Sequence, residues 1–289
     1  MIDTFTIPVQ ITDNRTVNCY ELKNKQFFNL LKFIQNQDFN TLSIFFENLI
    51  YELLVDKSEF TNLNIIDKLI ILINIRSICI SPDIEFESLK KLKFNKKISL
   101  TTIYKKFEQI TFKTESIIQK DLTCIFCIPK KLYYNSVDNL VESCIDKINL
   151  NSDVISLNEC NEIEKKQILE TLPGSIFVEA KAFLDKLEIY LNSFIIVKED
   201  EHFDFKTLEL SLIKNTGFGF ITSIFKDNLL NFYNLIYVFG NKLSMSPSEF
   251  FELTPAESSL LLSFYIKEQE EIKKASEQKG VPIGKKVDN

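Results

Sequence analysis

The apolar stretch at residues 63–81, LNIIDKLIILINIRSICIS, constrains the fold more than any other part of this chain. Asn64 is a favoured N-cap residue, and Asp67, three positions later, can bond back to it as in a capping box. Pro82 ends the run, so the pattern predicts a helix of about five turns at 3.6 residues per turn. A helix this apolar must be covered on most sides, which predicts that the core is built around it.

One cation interrupts the apolar surface of this helix. On a wheel of about 100° per residue, Asp67 and Asn74 share one edge, and Arg76 points into the middle of the opposite, apolar face. That face comprises Ile65, Leu69, Leu72 and Ile73. A buried guanidinium needs a carboxylate, free carbonyls or another subunit as partner. The favoured interpretation is instead an arginine that reaches out to water at the C-terminal end of the helix.

Length and composition indicate one large or two modest helix-rich domains. The chain has 289 residues, of which 45% are hydrophobic and 26% are charged, as is usual for a globular protein. It contains 26 Phe and no Trp, and its 6 Gly and 7 Pro leave few helix breakers. The predicted fold is therefore α+β and predominantly α-helical, with an N-terminal β-hairpin and a small antiparallel sheet.

The charge and hydropathy patterns exclude two classes of partner. A net charge of −6 does not provide the basic surface that a nucleic-acid-binding protein needs. Charged residues and asparagines interrupt the longest apolar stretches, 65–80 and 218–239, so we expect no membrane span. The N-terminus does not read as a secretory signal, and we therefore expect a soluble, cytoplasmic product.

Periodicity predicts the order of elements. Alternation of apolar and polar residues predicts a hairpin at 5–22 that turns at Asp13 and Asn14, with Pro8 suited to an edge position. A charged connection is expected at 82–97. Helices are predicted at 25–35, 41–55, 99–110, 136–148, 158–172 and 175–192. Further strands are predicted at 111–118, 122–134, 194–198 and 208–213.

The C-terminal third predicts a buried helix followed by a helical pair. Residues 220–241, which follow a break at Gly217–Gly219, form a mostly apolar run that predicts one helix buried on most sides. Ser246 and Thr254 then open two capping boxes with proline at the first helical position. The final helix, ending near Lys279, should dock by its apolar first half and project its charged second half. The expected units are 1–120, 121–243, 244–279 and a loose tail, 280–289.

The six cysteines leave three interpretations open. Cys124 and Cys127 form a CxxC pair, and Cys144 and Cys160 could supply two further thiolates for zinc. Thiol redox chemistry is a second interpretation. The third is that Cys124 and Cys127 pack beside a strand as small apolar side chains, as cysteines commonly do in a reducing compartment. Cys144 and Cys160 lie far from the CxxC pair in the sequence, so packing is the favoured interpretation.

The residues provide no signature of catalysis. The lone His202 lies among Glu199, Asp200, Glu201 and Asp204, a run that predicts a solvated acidic loop. Gly217-Phe218-Gly219 lacks the third glycine of a dinucleotide fingerprint, and no phosphate-binding loop, HExxH or Gly-x-Ser-x-Gly motif occurs. We therefore predict no enzyme activity and no cofactor.

Three stretches together are similar to a known phage family. They are FTIPVQI…RTVNCYELKNKQFFNLLKFI, LNIIDKLIILINIRSICIS and SPSEFFELTPAESSLLLSFYIKEQEEI. They resemble the baseplate hub subunit and hub-assembly family of T-even-like contractile-tail bacteriophages. The likeness covers about half of the chain and lies mainly in Glu21-Leu22-Lys23, Asp67 and Arg76-Ser77. The stretch at 122–213 has no counterpart in it.

The resemblance implies a non-enzymatic protein that builds or chaperones the baseplate hub during tail morphogenesis. Its partners would be other tail or hub proteins, and a homo-oligomer is compatible with that role. The expected location is the host cytoplasm during assembly, with the virion baseplate as the alternative. The candidate partner-binding residues are Arg76, Phe264, Tyr265, Lys267, Glu270, Lys273 and Lys274. The alternative function is an acidic accessory module that binds or inhibits host proteins.

Overall fold

The structure is a computed structural model that describes residues 5–36, 39–86, 96–101, 115–119, 122–150, 153–157, 159–195, 210–212 and 217–279. Most of the described residues are helical, and the strands are short and antiparallel, which confirms the predicted fold class. The helices are α1 Asn24–Asn36, α2 Phe39–Leu53, α3 Ile65–Cys79, α4 Val137–Ser143, α5 Glu162–Thr171, α6 Gly174–Ile195, α7 Gly217–Phe225, α8 Leu229–Lys242, α9 Pro247–Glu252 and α10 Pro255–Lys279. The strands are β1 Thr6–Gln10, β2 Thr16–Tyr20, β3 Asp83–Phe86, β4 Lys96–Ser99, β5 Ser116–Gln119, β6 Leu122–Phe126, β7 Ile145–Leu150 and β8 Asp153–Ser156.

The N-terminal hairpin forms where the alternation predicted it. β1 and β2 pair antiparallel, with alternate residues of both strands buried. Asp13 and Asn14 have φ angles of 58° and 57°. Aspartate and asparagine adopt this left-handed conformation more readily than other non-glycine residues, so the turn sequence suits the tight reversal.

Helix α3 lies at the centre of the core, as its sequence predicted. Thirteen of its fifteen residues are buried, and it contacts β1, α2, α7 and α10. The predicted capping box is complete, because the Asn64 side chain accepts from the Asp67 backbone N–H and the Asp67 carboxylate accepts from that of Asn64. Helices α1 and α2 also agree with the prediction.

The central region contains more strand than expected. Strands β5, β6, β7 and β8 form an antiparallel four-stranded sheet in sequence order. The predicted helix at 136–148 is wrong in its second half, because α4 ends at Ser143 and residues 145–150 form β7. Those residues read IDKINL, which alternates with period two, and pairing with β6 and β8 selects the strand. The predicted strand at 122–134 is correspondingly shorter and ends at Phe126.

Two connections also differ from the prediction. The charged connection expected at 82–97 contains β3 and β4, which pair as a hairpin carrying the Glu85–Lys97 ion pair on its exposed surface. Residues 194 and 195 belong to α6, so the strand expected at 194–198 is wrong there. The helix predicted at 99–110 lies outside the described residues beyond Thr101. His202 and the acidic loop around it also lie outside them.

The single buried helix predicted at 220–241 is wrong. Two helices cover this region, because α7 begins at Gly217 and α8 begins after Asn228, whose side chain caps its N-terminus. α7 is buried, whereas α8 lies at the surface with Leu230 65% and Tyr237 66% exposed. Asparagine is a stronger cap than an internal helix residue, so the break falls there despite the apolar run.

The two capping boxes near the C-terminus are confirmed. Ser246 and Glu249 open α9, and Thr254 and Glu257 open α10 with reciprocal bonds of 2.7 and 3.1 Å. α9 packs against α1 and α8, and α10 contacts α3. The pair is thereby joined to the N-terminal helices.

Candidate protein-binding surfaces

The first turns of α10 are anchored in the body of the protein. Thr254 and Ser258 are buried. The Asn24 side-chain amide, at the start of α1, donates to the Ser258 hydroxyl at 2.6 Å and to the Phe250 carbonyl at 2.9 Å. The Asn24 backbone N–H donates to the Leu253 carbonyl at 2.7 Å. These buried polar contacts hold the root of α10 against α1.

The second half of α10 projects away from the body. Tyr265 is still half-buried, but every described side chain from Ile266 to residue 275 is exposed. At 1.5 Å per residue, the helix continues for about 20 Å beyond Tyr265. This arrangement agrees with the predicted docking of the first half and projection of the second.

One face of α10 carries three of the seven candidate partner-binding residues, Phe264, Lys267 and Lys274. Side chains three and four positions apart share a helix face, and we define the α10 outer face as Leu260, Phe264, Lys267, Glu271 and Lys274. Phe264 is 60% exposed on it. Of the other candidates on α10, Tyr265 is half-buried, Glu270 lies on the flank of the outer face, and Lys273 lies about 140° from its centre at 100° per residue. The two aromatic candidates, Phe264 and Tyr265, therefore lie on different faces of α10.

Arg76 lies inside the protein, with only 7% of its surface exposed. Its Nε donates to the Ile224 carbonyl at 2.7 Å, and its two terminal nitrogens donate to the carbonyls of Ser81 and Asp83. The favoured interpretation of an arginine that reaches out to water is therefore wrong. Backbone carbonyls accept from the buried side chain, which is one of the partner types that the sequence left open.

The surroundings of Arg76 explain why a charge is tolerated there. Ile224 is the penultimate residue of α7, so the guanidinium sits at the negative end of that helix dipole. Burial lowers the pKa of Arg76 to about 10, while Asp227 and Asp83 favour its charged form. Arg76 therefore joins α3 to α7 and β3, whereas the candidate residues at the surface lie on α10.

The CxxC pair lies at the end of β6. Cys124 is buried within the strand, and the Cys127 backbone N–H donates at 2.7 Å to the carbonyl of Cys144, the residue before β7. Burial raises the pKa of Cys127 to about 11 and also raises those of Cys124 and Cys144. Thiolates are the form that binds zinc, so these shifts disfavour metal binding. The described residues include no group of three or more His, Cys, Asp or Glu placed to hold a metal ion.

Sequence reasoning did not find a groove beside α2. It has a volume of about 1210 Å³ and lies between the hairpin, α1, α2 and the junction of α9 with α10. We call it the α2 groove. Its aromatic wall consists of Phe5, Tyr20, Phe45 and Phe251. Phe5 is 65% exposed. Ile44, which is also exposed, lies one helical turn before Asn48 of the groove lining. Ile44 therefore extends the apolar surface along α2.

The charged residues around the α2 groove are mostly acidic. Among the described residues, four glutamates and two lysines line it. Lys23 pairs with Glu21 at 2.8 Å, and Glu257 is used in capping α10. Glu52 and Glu252 remain exposed at the rim. No separate sequence signal marks this site, because its apolar α2 residues, Phe45, Leu49 and Leu53, have the spacing of an ordinary core face.

A second cleft, of about 1220 Å³, lies between α4, α5 and the segment after β6. Lysines and glutamates both line it, including Lys130, Lys165, Glu142 and Glu162. The mixture of signs gives this cleft no preference for ligands of one charge.

The remaining observations concern membranes and relatives. In the described ranges, no helix combines the length and the apolarity needed to cross a bilayer. Comparison of the chain with protein-family models, curated proteins and solved structures finds no match.

Proposed function

We propose that this chain is a non-enzymatic baseplate hub subunit or hub-assembly protein of a contractile-tail phage, which acts by binding other tail proteins. The observation that carries the proposal is the projection of α10 beyond the body with its outer face unburied. The resemblance of the N-terminal, central-helix and C-terminal stretches to the hub family supports the choice of partner.

The chemistry of the α10 outer face suits protein recognition. Leu260 and Phe264 are exposed apolar side chains one turn apart, and burying a residue as large as Phe contributes about 1.5–3 kcal/mol. Lys267, Glu271 and Lys274 continue the same face with charges. An apolar anchor beside a charged rim is the usual arrangement at binding surfaces. Because a helix without tertiary contacts is marginally stable alone, binding would also stabilise this half.

The proposal is tested by shortening the chain after Ile266. A phage whose own copy is disrupted would be supplied during infection with the full chain, with residues 1–266 or with Phe264→Ala. We expect the full chain to restore tails, the shortened chain to fail and Phe264→Ala to reduce tail yield at least tenfold. Val178→Ala, at an exposed position on α6, is the matched control and should have no effect.

A shorter chain that ends before Leu253, and so lacks all of α10 and its Thr254 cap, would be a poorer test. It lacks Thr254 and Ser258, which are buried, and the partner of the Asn24 amide. Loss of function would then reflect misfolding. Tails assembled at normal yield with residues 1–266 would contradict the proposal.

The identity of the partners is a second readout. Affinity capture of the full chain from infected cells, followed by mass spectrometry, should yield tail or hub proteins that the shortened chain does not retain. Host proteins in their place would support the alternative of an acidic accessory module. Counting this chain in purified virions distinguishes a hub subunit from an assembly factor that leaves.

A further inference from the structure

We infer that the α2 groove is the seat for the α10 outer face of a second copy of this chain, so that the protein forms a two-fold dimer. The inference rests on the proposed function and deepens it, because it names the first partner of α10. It joins two surfaces that are otherwise uncovered in the described part of the chain.

The two surfaces complement each other in shape and hydrophobicity. The groove offers a concave aromatic wall that includes Phe5, which is mostly exposed. The α10 outer face offers Leu260 and Phe264 on a convex helix. An amphipathic helix in an apolar groove is a recurring mode of recognition.

Their charges are also complementary. Glu52 and Glu252 are exposed at the rim of the groove, where glutamates outnumber lysines four to two. On the α10 outer face the excess is reversed, because Lys267 and Lys274 flank the single Glu271. Complementary potentials favour this pairing over contacts between other surfaces of a chain with a net charge of −6.

The position of the groove indicates a second copy as the occupant. Phe251 and Glu252 at the end of α9 and Glu257 at the start of α10 line the groove, so it lies beside the root of the helix. α10 runs away from that root and cannot fold back into its own groove while it remains a continuous helix. Two copies related by a two-fold axis can exchange helices, with each groove filled by the other chain. Such an interface is self-complementary and closes at two copies.

The test uses reversed charges on the full-length chain. One variant, Glu52→Lys with Glu252→Lys, alters the groove, and a second, Lys267→Glu with Lys274→Glu, alters the helix. Mass is measured by light scattering at about 50 µM, a concentration at which micromolar complexes are occupied. The native chain should have twice its monomer mass of 33.7 kDa. Each variant alone should dimerise at least tenfold more weakly, because like charges then face each other.

Mixing the two variants is the decisive measurement. In the mixed dimer, each reversed surface meets an opposite charge, so a 1:1 mixture should regain the dimer. A control with Glu179→Lys and Lys181→Glu on α6, both exposed, should remain dimeric. A monomeric native chain, variants that stay dimeric, or a mixture that stays monomeric would each overturn the inference. A monomer that still needs residues 267–289 for tail assembly would overturn the inference and leave the proposed function standing.

Discussion

At the scale of single residues, the protein buries three charged side chains of α3, and each has a different kind of partner. Asp67 accepts from backbone and side-chain donors of the hairpin turn. Lys68 pairs with Glu47, and its ammonium lies 4.5 Å from the centre of the Phe60 ring. Among the described residues, Arg76 donates only to carbonyls. Because each charge has partners, burial costs less than it would for an isolated ion.

Replacing Arg76 tests whether it is a structural residue. Arg76→Leu leaves the carbonyls of Ile224, Ser81 and Asp83 without this donor, and we expect the free energy of unfolding to fall by about 2–4 kcal/mol. Arg76→Lys should recover part of the loss, since one ammonium cannot span all three carbonyls. Chemical denaturation measures both variants. Lys97→Leu, at an exposed ion pair, should change stability by less than about 1 kcal/mol, and an equal effect at both sites would contradict this role.

Buried thiols predict a loss of stability at alkaline pH. Burial raises the pKa of Cys19 to about 12 and that of Cys79 to about 11, from an ordinary value of 9.0. The unfolded chain therefore loses these protons first, and the stabilisation that is complete below pH 9 declines as pH rises toward 11–12. Each thiol contributes a slope of at most about 1.4 kcal/mol per pH unit. We expect Cys19→Ala with Cys79→Ala to flatten the dependence between pH 9 and 10.5, whatever its effect at pH 7.

Thiol reactivity distinguishes the six cysteines at neutral pH. Cys160 is half-buried on the turn after β8, and its Sγ contacts the Ser156 carbonyl at 3.4 Å. Cys19, Cys79, Cys124 and Cys144 are buried, and the pKa of half-buried Cys127 is raised to about 11. An aromatic disulfide reagent at pH 8 should therefore modify one thiol rapidly in the folded chain, and Cys160→Ser should remove that phase. Rapid modification of Cys127 would contradict this expectation and show that the end of β6 is accessible to the reagent.

At the scale of elements, the joint between the hairpin and α3 organises the N-terminal half. The Asp67 carboxylate is fully buried and accepts from the Thr12 backbone N–H at 3.0 Å, from the Thr12 hydroxyl and from Arg15 at 3.0 Å. The same carboxylate accepts from Asn64 in the capping box. One side chain thus caps a helix and fastens the turn of the hairpin to it.

Asp67→Ala should therefore weaken two elements at once. The helix loses half of its capping box, worth about 1 kcal/mol, and the hairpin turn loses its buried acceptor, for a total of about 3–5 kcal/mol. Asp138→Ala, in the exposed first turn of α4, should cost less than about 1 kcal/mol. Thermal unfolding compares the two. Hydrogen exchange should be faster in β1 and β2 of Asp67→Ala than in the native chain. Unchanged exchange there would contradict the role of Asp67 in fastening the hairpin to α3.

At the scale of the whole molecule, one part of the C-terminal helical pair, α9 and α10, stabilises the fold, and we expect the other part to bind a partner. α9 and the root of α10 belong to the folded body, through Phe250 and the contacts of Asn24 with Ser258. In the half of α10 beyond Tyr265, every described side chain is exposed. Stability and binding should therefore be separable along one continuous helix.

Two truncations test this division. Residues 1–266 should keep a melting temperature within a few degrees of the full chain when both are measured dilute enough to be monomeric, since every described side chain from 267 to 275 is exposed. Residues 1–252 lose buried Thr254 and Ser258 and leave the Asn24 amide without its hydroxyl partner, so unfolding should occur at least about 5 °C lower. Equal melting temperatures for these two truncations would show that the root of α10 is not part of the folded body.

The sequence by itself determined the local elements whose signals are local. The capping boxes at Asn64, Ser246 and Thr254 and the turn at Asp13 and Asn14 depend on residues a few positions apart, and each formed as predicted. Tertiary structure decided the rest. Residues 145–150 became a strand because β6 and β8 flank them, and Arg76 became buried because the end of α7 offers it a carbonyl 148 positions away. The α2 groove exists only where distant segments meet, and no periodicity within one helix encodes such a meeting.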